Sequence, residues 1–235
     1  METQTKTNPL IEAMFKAGAH FGYVRSRRHP SVKPYLWGTK NKVEIFNLEK
    51  TSEALEAAKE FVKETAKAGG AILFVGGKQE SQEIILKAAE SISMPYVSGR
   101  WLGGTLTNFT QIRKRVSTYE DLVSKREKGE FVGKYTKKER LLIDRKIDKM
   151  HVMFSGLIAL KDKPAALFVI DPRREHIAVA EAHLENVPII GLCGSDSDLK
   201  EVDYPIPGND TSIHSISFFV QELVESFKEG RGAKV

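Results

Sequence analysis

Residues 19–46, AHFGYVRSRRHPSVKPYLWGTKNKVEIF, interleave His20, Phe21, Tyr23, Tyr35 and Trp37 with Arg25, Arg27, Arg28, Lys33, Lys40 and Lys42. This mixture suits a nucleic acid that is partly unpaired. Cations neutralise phosphates and release counterions, while rings and guanidinium planes stack on exposed bases. The segment is rich in Gly and Pro and has little helix or strand period before Val43. A loop of that length is expected to be functional or ordered by a partner.

Other spacings are those of catalysis. FVGGKQESQ (74–82) follows an apolar run and opens a helical one, where phosphates bind in α/β folds, yet it is neither GxxxxGK[ST] nor GxGxxG. VIDPRREHIAVAEA (169–182) puts Asp171 at a strand end, but an N-cap at Asp171, with Pro172 first in the helix and Glu175 in capping-box position, explains it better. No GxSxG is present, the six histidines are scattered, and SDSDLKEVD lacks EF-hand spacing. Catalysis is unsupported, and no cofactor or metal is expected.

Positioning these residues takes a series of alternating elements. VEIFNL, AILFVG, MPYV, AALFVID and VPIIGL read as buried strands, with VDYPI as a short sixth, and amphipathic helical patterns lie between them. That alternation predicts an α/β fold with a mostly parallel sheet and helices on both faces. Between MPYV and AALFVID the pattern changes. Ile112, Val116, Tyr119 and Val123, then Ile143, Ile147, Met150, Phe154 and Leu157, keep heptad spacing on two segments joined by a polar turn. They predict an inserted antiparallel coiled-coil hairpin over 110–160, whose first arm of about 18 residues reaches roughly 27 Å. RWLGGTLTNF (100–109) mounts it, with Thr107 or Asn108 able to cap the first arm. The organisation expected is an N-terminal helix and basic arm (1–42), an α/β domain (43–109 and 161–229), the hairpin, and a flexible tail (230–235).

Charge is segregated. Residues 1–45 hold eight Lys/Arg against three acids, and residues 100–150 hold fourteen against seven, whereas 151–235 hold eight against thirteen. A polyanion on one side of the molecule follows from that asymmetry, with hairpin cations such as Arg113, Lys114, Lys137 and Lys138 as candidates. One cysteine, Cys193, excludes an intrachain disulfide and points to a reducing compartment. The start METQTKTNPL has no apolar signal core and no run reaches membrane-spanning length, so a cytoplasmic protein without a membrane or small-molecule substrate is expected.

The motifs AHFGY, PYLWGTKNKVEIFNLEKT, RWLGGTLTN, LFVIDPRREHIAVAEA and IPGND occur in this order along the chain. Over roughly residues 9–231 the chain resembles the bacterial-type ribosomal protein S-two family of the small subunit. The resemblance implies a flavodoxin-like or Rossmann-like sheet carrying the hairpin. It also implies a non-enzymatic component bound late in assembly between head and body, contacting small-subunit rRNA and proteins of the head, and supporting docking of ribosomal protein S-one. RNA-facing roles follow from it for Lys40, Asn41, Arg100 and Trp101. Metal binding in some relatives involves the region of His20. Here Tyr23 stands where the family often has a second histidine and Gly194 where it often has an aspartate. Two other readings compete: a nucleotide-binding enzyme using Gly76, Gly77, Lys78 and Asp171, and a protein scaffold using the hairpin seam.

Overall fold

The structure is a computed structural model and describes residues 8–232, so residues 1–7 of the expected arm and 233–235 of the expected tail lie outside it. After α1 (Pro9–Lys16) the basic arm is a folded antiparallel sheet: β1 (Phe21–Val24), β2 (Leu36–Lys40) and β3 (Val43–Phe46), in the order β1-β3-β2. β2 and β3 close over Asn41 and Lys42, whose φ angles of 52° and 67° are both left-handed, the geometry a two-residue hairpin turn needs. VEIFNL, expected in the parallel sheet, is instead the central strand of this small one. Glu44 decides the matter. An acid suits no strand buried on both faces, and here it is buried against Arg28 at 3.2 Å and Thr39 Oγ1 at 3.0 Å.

The chain continues through α2 (Leu48–Ala68), β4 (Ile72–Val75), α3 (Gln79–Ser91), β5 (Tyr96–Val97), α4 (Phe109–Glu127) and α5 (Lys137–Phe154). It ends with β6 (Ala166–Ile170), α6 (His176–Leu184), β7 (Ile189–Cys193), β8 (Tyr204–Pro207) and α7 (Ile213–Gly232). The five later strands form one parallel sheet in the order β5-β4-β6-β7-β8, with its connection reversing between β4 and β6 as in flavodoxin-like folds. Pro205 and Pro207 are tolerated because β8 is an edge.

Strand side chains alternate between two cores. Ile72, Phe74, Phe168, Ile170, Ile190, Leu192 and Ile206 meet α2, α3 and α7 on one face; Leu73, Val75, Leu167, Val169 and Ile189 meet α6 and the hairpin root on the other. α2 is built from strong helix formers, is capped by Asn47, and stops where Gly69 takes φ +79°.

The hairpin forms as its heptads predict. Val116 and Tyr119 of α4 and Ile147, Met150 and Phe154 of α5 are buried along the seam, with Tyr119 Oη 2.7 Å from His151 Nδ1. Thr136 and Glu139 close a reciprocal capping box at the start of α5. At the other end of the chain α7 runs through Gly232, past the boundary of 230 expected for the tail, because Gly230 is the contact point between helices. A Cβ there would lie 2.6 Å from Lys63 O and 2.8 Å from Ala66 Cβ on α2. Gly230→Ala should therefore destabilise the protein by about 1–3 kcal/mol despite its higher helix propensity. Urea denaturation checks this, and an unchanged or raised midpoint would show that the α2–α7 contact is loose.

Candidate nucleic-acid interface

Parallel sheets bind ligands beyond the carboxyl ends of their strands, at the point where strand order reverses. In this chain the arm lies over the ends of β7 and β8 and reaches Lys78 after β4, while the cleft between the ends of β5, β4 and β6 stays open. Tyr23 N–H donates to Ser195 Oγ (2.8 Å), His29 N–H to Ser195 O (2.9 Å) and Asn209 N–H to Ala19 O (3.0 Å). Beneath the arm Lys78 is buried, its Nζ 2.6 Å from Asp210 Oδ2 and 2.7 Å from Asp171 Oδ2, with Tyr23 Oη at 3.2 Å. Burial alone would lower the lysine's pKa, but the carboxylates of Asp210 and Asp171 outweigh it and raise it. Burial lifts Asp210 to about 6, aided by Asp171 and opposed by Lys78. Asp196 alongside is held by Arg27 (2.9 Å) and Arg173 (2.7 Å).

This arrangement overturns the nucleotide-site reading. Lys78 is engaged with two carboxylates. Gly76 and Gly77 serve close packing: a Cβ on Gly76 would lie 2.8 Å from Ser81 Oγ, and one on Gly77 would meet the Glu175 carboxylate and lie 2.9 Å from Gly99 O. Asp171 accepts from the N–H of Arg174 at 3.1 Å, as a cap would, but at φ +60° and with α6 starting only at His176. Its other oxygen faces Lys78.

The mounting segment of the hairpin is organised by Glu181 of α6. This buried carboxylate accepts from Trp101 Nε1–H (3.1 Å), the N–H groups of Gly104 (2.7 Å), Leu106 (3.0 Å) and Thr107 (3.2 Å), and Thr107 Oγ1 (3.3 Å). Burial would raise its pKa, but those donors outweigh burial and hold it below the ordinary carboxylate value. One expectation is corrected. Neither Thr107 nor Asn108 caps α4 with its side chain, since Thr107 turns to Glu181 and Asn108 makes no cap bond. Trp101 is 5% exposed with its N–H engaged by Glu181, which anchors it at the hairpin root, and it borders the cleft beside Arg100. The functions of Lys78, Tyr23 and Glu181 carried no local sequence signal, because their partners lie far along the chain.

The other predicted residues fall into separate places. Arg25, Lys40, Asn41 and Lys42 are exposed together at one end of the small sheet, where Arg25 N–H donates to Lys42 O (3.0 Å); Lys33 is exposed on the turn before β2. Arg27 and Arg28 pair with Asp196 and Glu44. Arg100 is exposed on a cleft of about 400 Å³ that also has Arg174 and Glu175 in its wall. Arg113 and Lys114 lie near the start of α4, Arg113 donating to Ile158 O at 3.4 Å, while Lys137 and Lys138 are exposed at the hairpin's far end. The exposed candidates therefore lie on the arm, beside the cleft at Arg100 and along the hairpin.

The metal implied by the family resemblance does not fit these residues. Among the described residues no group of three His, Cys, Asp or Glu is placed to hold a metal ion, and a Cβ on Gly194 would already lie 2.6 Å from Asp210 Oδ1. His20 stacks between Phe15 and Phe21, with ring centroids 4.5 and 4.0 Å away.

Fold and site together define a class: a flavodoxin-like α/β protein whose own arm packs across part of the strand ends and whose exposed chemistry is a cationic surface with a helical hairpin. The family model described as "Ribosomal protein S2" matches residues 14–230, and the chain belongs to that family. It is similar to proteins named "Small ribosomal subunit protein uS2": 39% identical to that of Mycobacteroides abscessus over 95% of this chain and 80% of the relative. The corresponding protein of Roseiflexus sp. is 38% identical over 95% and 85%, and that of Chloroflexus aggregans 37% over 98% and 96%.

Glu181→Ala leaves several buried donors without a partner and should cost on the order of 3 kcal/mol in urea denaturation. Because the folded pKa is lowered, the wild-type carboxylate's contribution is complete above its unfolded pKa and disappears as pH falls through the folded one. An acid titration followed by Trp101 fluorescence should show this loss in the wild type and not in Glu181→Gln. Superimposable acid profiles would remove Glu181 as the organiser of the root.

Proposed function

We propose that this protein is a structural constituent of the small ribosomal subunit. It binds small-subunit rRNA and neighbouring ribosomal proteins between head and body, and supports docking of ribosomal protein S-one. The head–body placement and the S-one docking come from the family resemblance. The observation that carries RNA contact is the division of the cations by use. Arg27, Arg28, Lys78 and Arg173 are each paired with a buried acid, whereas Arg25, Lys33, Lys40, Lys42, Lys114, Lys137 and Lys138 are exposed and form no ion pair among the described residues. Exposed cations on a rigid frame suit a phosphate backbone. The hairpin seam is closed between its own arms, which weighs against the scaffold reading, but Leu141, Leu142 and Val152 stay exposed on α5 for protein neighbours.

Co-sedimentation with small subunits through a high-salt wash tests the assignment: stoichiometric retention is expected, and absence from that peak overturns it. Replacing Arg25, Lys40 and Lys42 together by Ala should weaken RNA binding and flatten log K against log salt by about 0.7 per lost contact on single strands. Arg27→Ala should instead lower the melting temperature, because it strips a partner from buried Asp196. An unchanged salt slope in the triple variant would take that end of the arm out of the interface.

A further inference from the structure

We propose that the Lys78 ammonium is the resident cation of the strand-end site, holding the arm across the sheet without a metal, and that its removal converts the site into one for a divalent cation. The inference concerns the free protein and does not rest on its ribosomal role.

Lys78 is surrounded as a bound cation would be. Four oxygens lie within 3.2 Å of Nζ: Asp210 Oδ2 at 2.6 Å, Asp171 Oδ2 at 2.7 Å, Tyr23 Oη at 3.2 Å and the Asp210 carbonyl at 3.2 Å. They come from β1, from the end of β6, and from the loop between β8 and α7, while the lysine itself ends the β4 loop as the residue before α3. One ammonium thus joins four segments distant in sequence, as metals do in small structural sites.

Charge agrees with geometry. Three carboxylates are buried here, Asp171, Asp196 and Asp210, and three cations pair with them, Lys78, Arg27 and Arg173. The cluster is neutral in formal charge, so a divalent ion added to it would leave two positive charges uncompensated in a low-dielectric site. Space agrees as well. Gly194 leaves no room for a further carboxylate, since even a Cβ would lie 2.6 Å from Asp210 Oδ1 and 3.0 Å from Tyr23 Cε2. Asp171 is held at φ +60°, a conformation costly for any residue with a side chain, while its carboxylate reaches Nζ.

Lys78→Met removes the charge and leaves two carboxylates, a carbonyl and a phenol around a small space. Oxygen-only ligands of this kind suit Mg²⁺, Ca²⁺ or Mn²⁺. The full chain, dialysed against EDTA, is melted alone and with each ion at millimolar concentration, and bound metal is counted by elemental analysis. Wild type should melt at one temperature throughout and carry no stoichiometric metal. Lys78→Met should melt lower and recover saturably with a divalent ion, binding one per chain. A wild-type melt that falls on chelation, or one tightly held metal per wild-type chain, overturns the proposal; a folded Lys78→Met that ignores every ion overturns its second half. Should Lys78→Met fail to fold, Tyr23→Phe keeps the ammonium and both carboxylates, and a chelator-sensitive melt in that variant also counts against the proposal.

Discussion

Three carboxylates buried at the carboxyl ends of a parallel sheet must be neutralised, and much of the molecule follows from how this chain does it. Asp171, Asp196 and Asp210 stand on the loops after β6, β7 and β8. Unpaired, each would cost several kcal/mol of desolvation. Lys78 answers two of them from the β4 loop, and Arg27 of the arm joins Arg173 on the third. The arm is thereby drawn across the strand ends, where Tyr23 and His29 add backbone bonds to Ser195. Order in the arm and neutralisation of these carboxylates have one cause.

The same device recurs at smaller scale at the hairpin root. Thr105 and Asn108 donate within RWLGGTLTNF, and Glu181 supplies the acceptors its other donors need, gathering the backbone N–H groups of three residues with one indole. A loop with two glycines has many conformations, and a single carboxylate with converging donors selects one of them. Direction is therefore imposed on α4 from its first turn by a residue of α6. The root is held from α6, while the tip beyond Gly129 is held by the hairpin's own seam and caps.

What could be read from the sequence was what depends on near neighbours. Heptad spacing fixes which faces of α4 and α5 meet, so the hairpin was legible, as were the apolar runs of the parallel sheet. Long-range electrostatics was not. Lys78 meets Asp210 across 132 residues and Trp101 meets Glu181 across 80, with nothing in either neighbourhood to announce the pairing. Gly and Pro made the arm look irregular, because its order is a short three-stranded sheet held by contacts to residues 195 and 209. Basic residues in that arm looked equivalent in one dimension. Their partners separate them: Arg27 and Arg28 pair with the buried Asp196 and Glu44, and Arg25, Lys40 and Lys42 form no ion pair among the described residues.

That separation bears on how a surface of this kind should be read. Net positive charge in a segment measures the cations it contains, not those it can offer, and in this arm two of the arginines are already answered by Asp196 and Glu44. The arm and the start of α4 both leave from the carboxyl ends of parallel strands, the arm by lying over them and α4 by following β5 through the Glu181-held loop. The two exposed cationic groups are thus mounted on the same frame through buried carboxylates. A polyanion engaging both would meet groups mounted on one sheet, the arm through Lys78 and the hairpin root through Glu181.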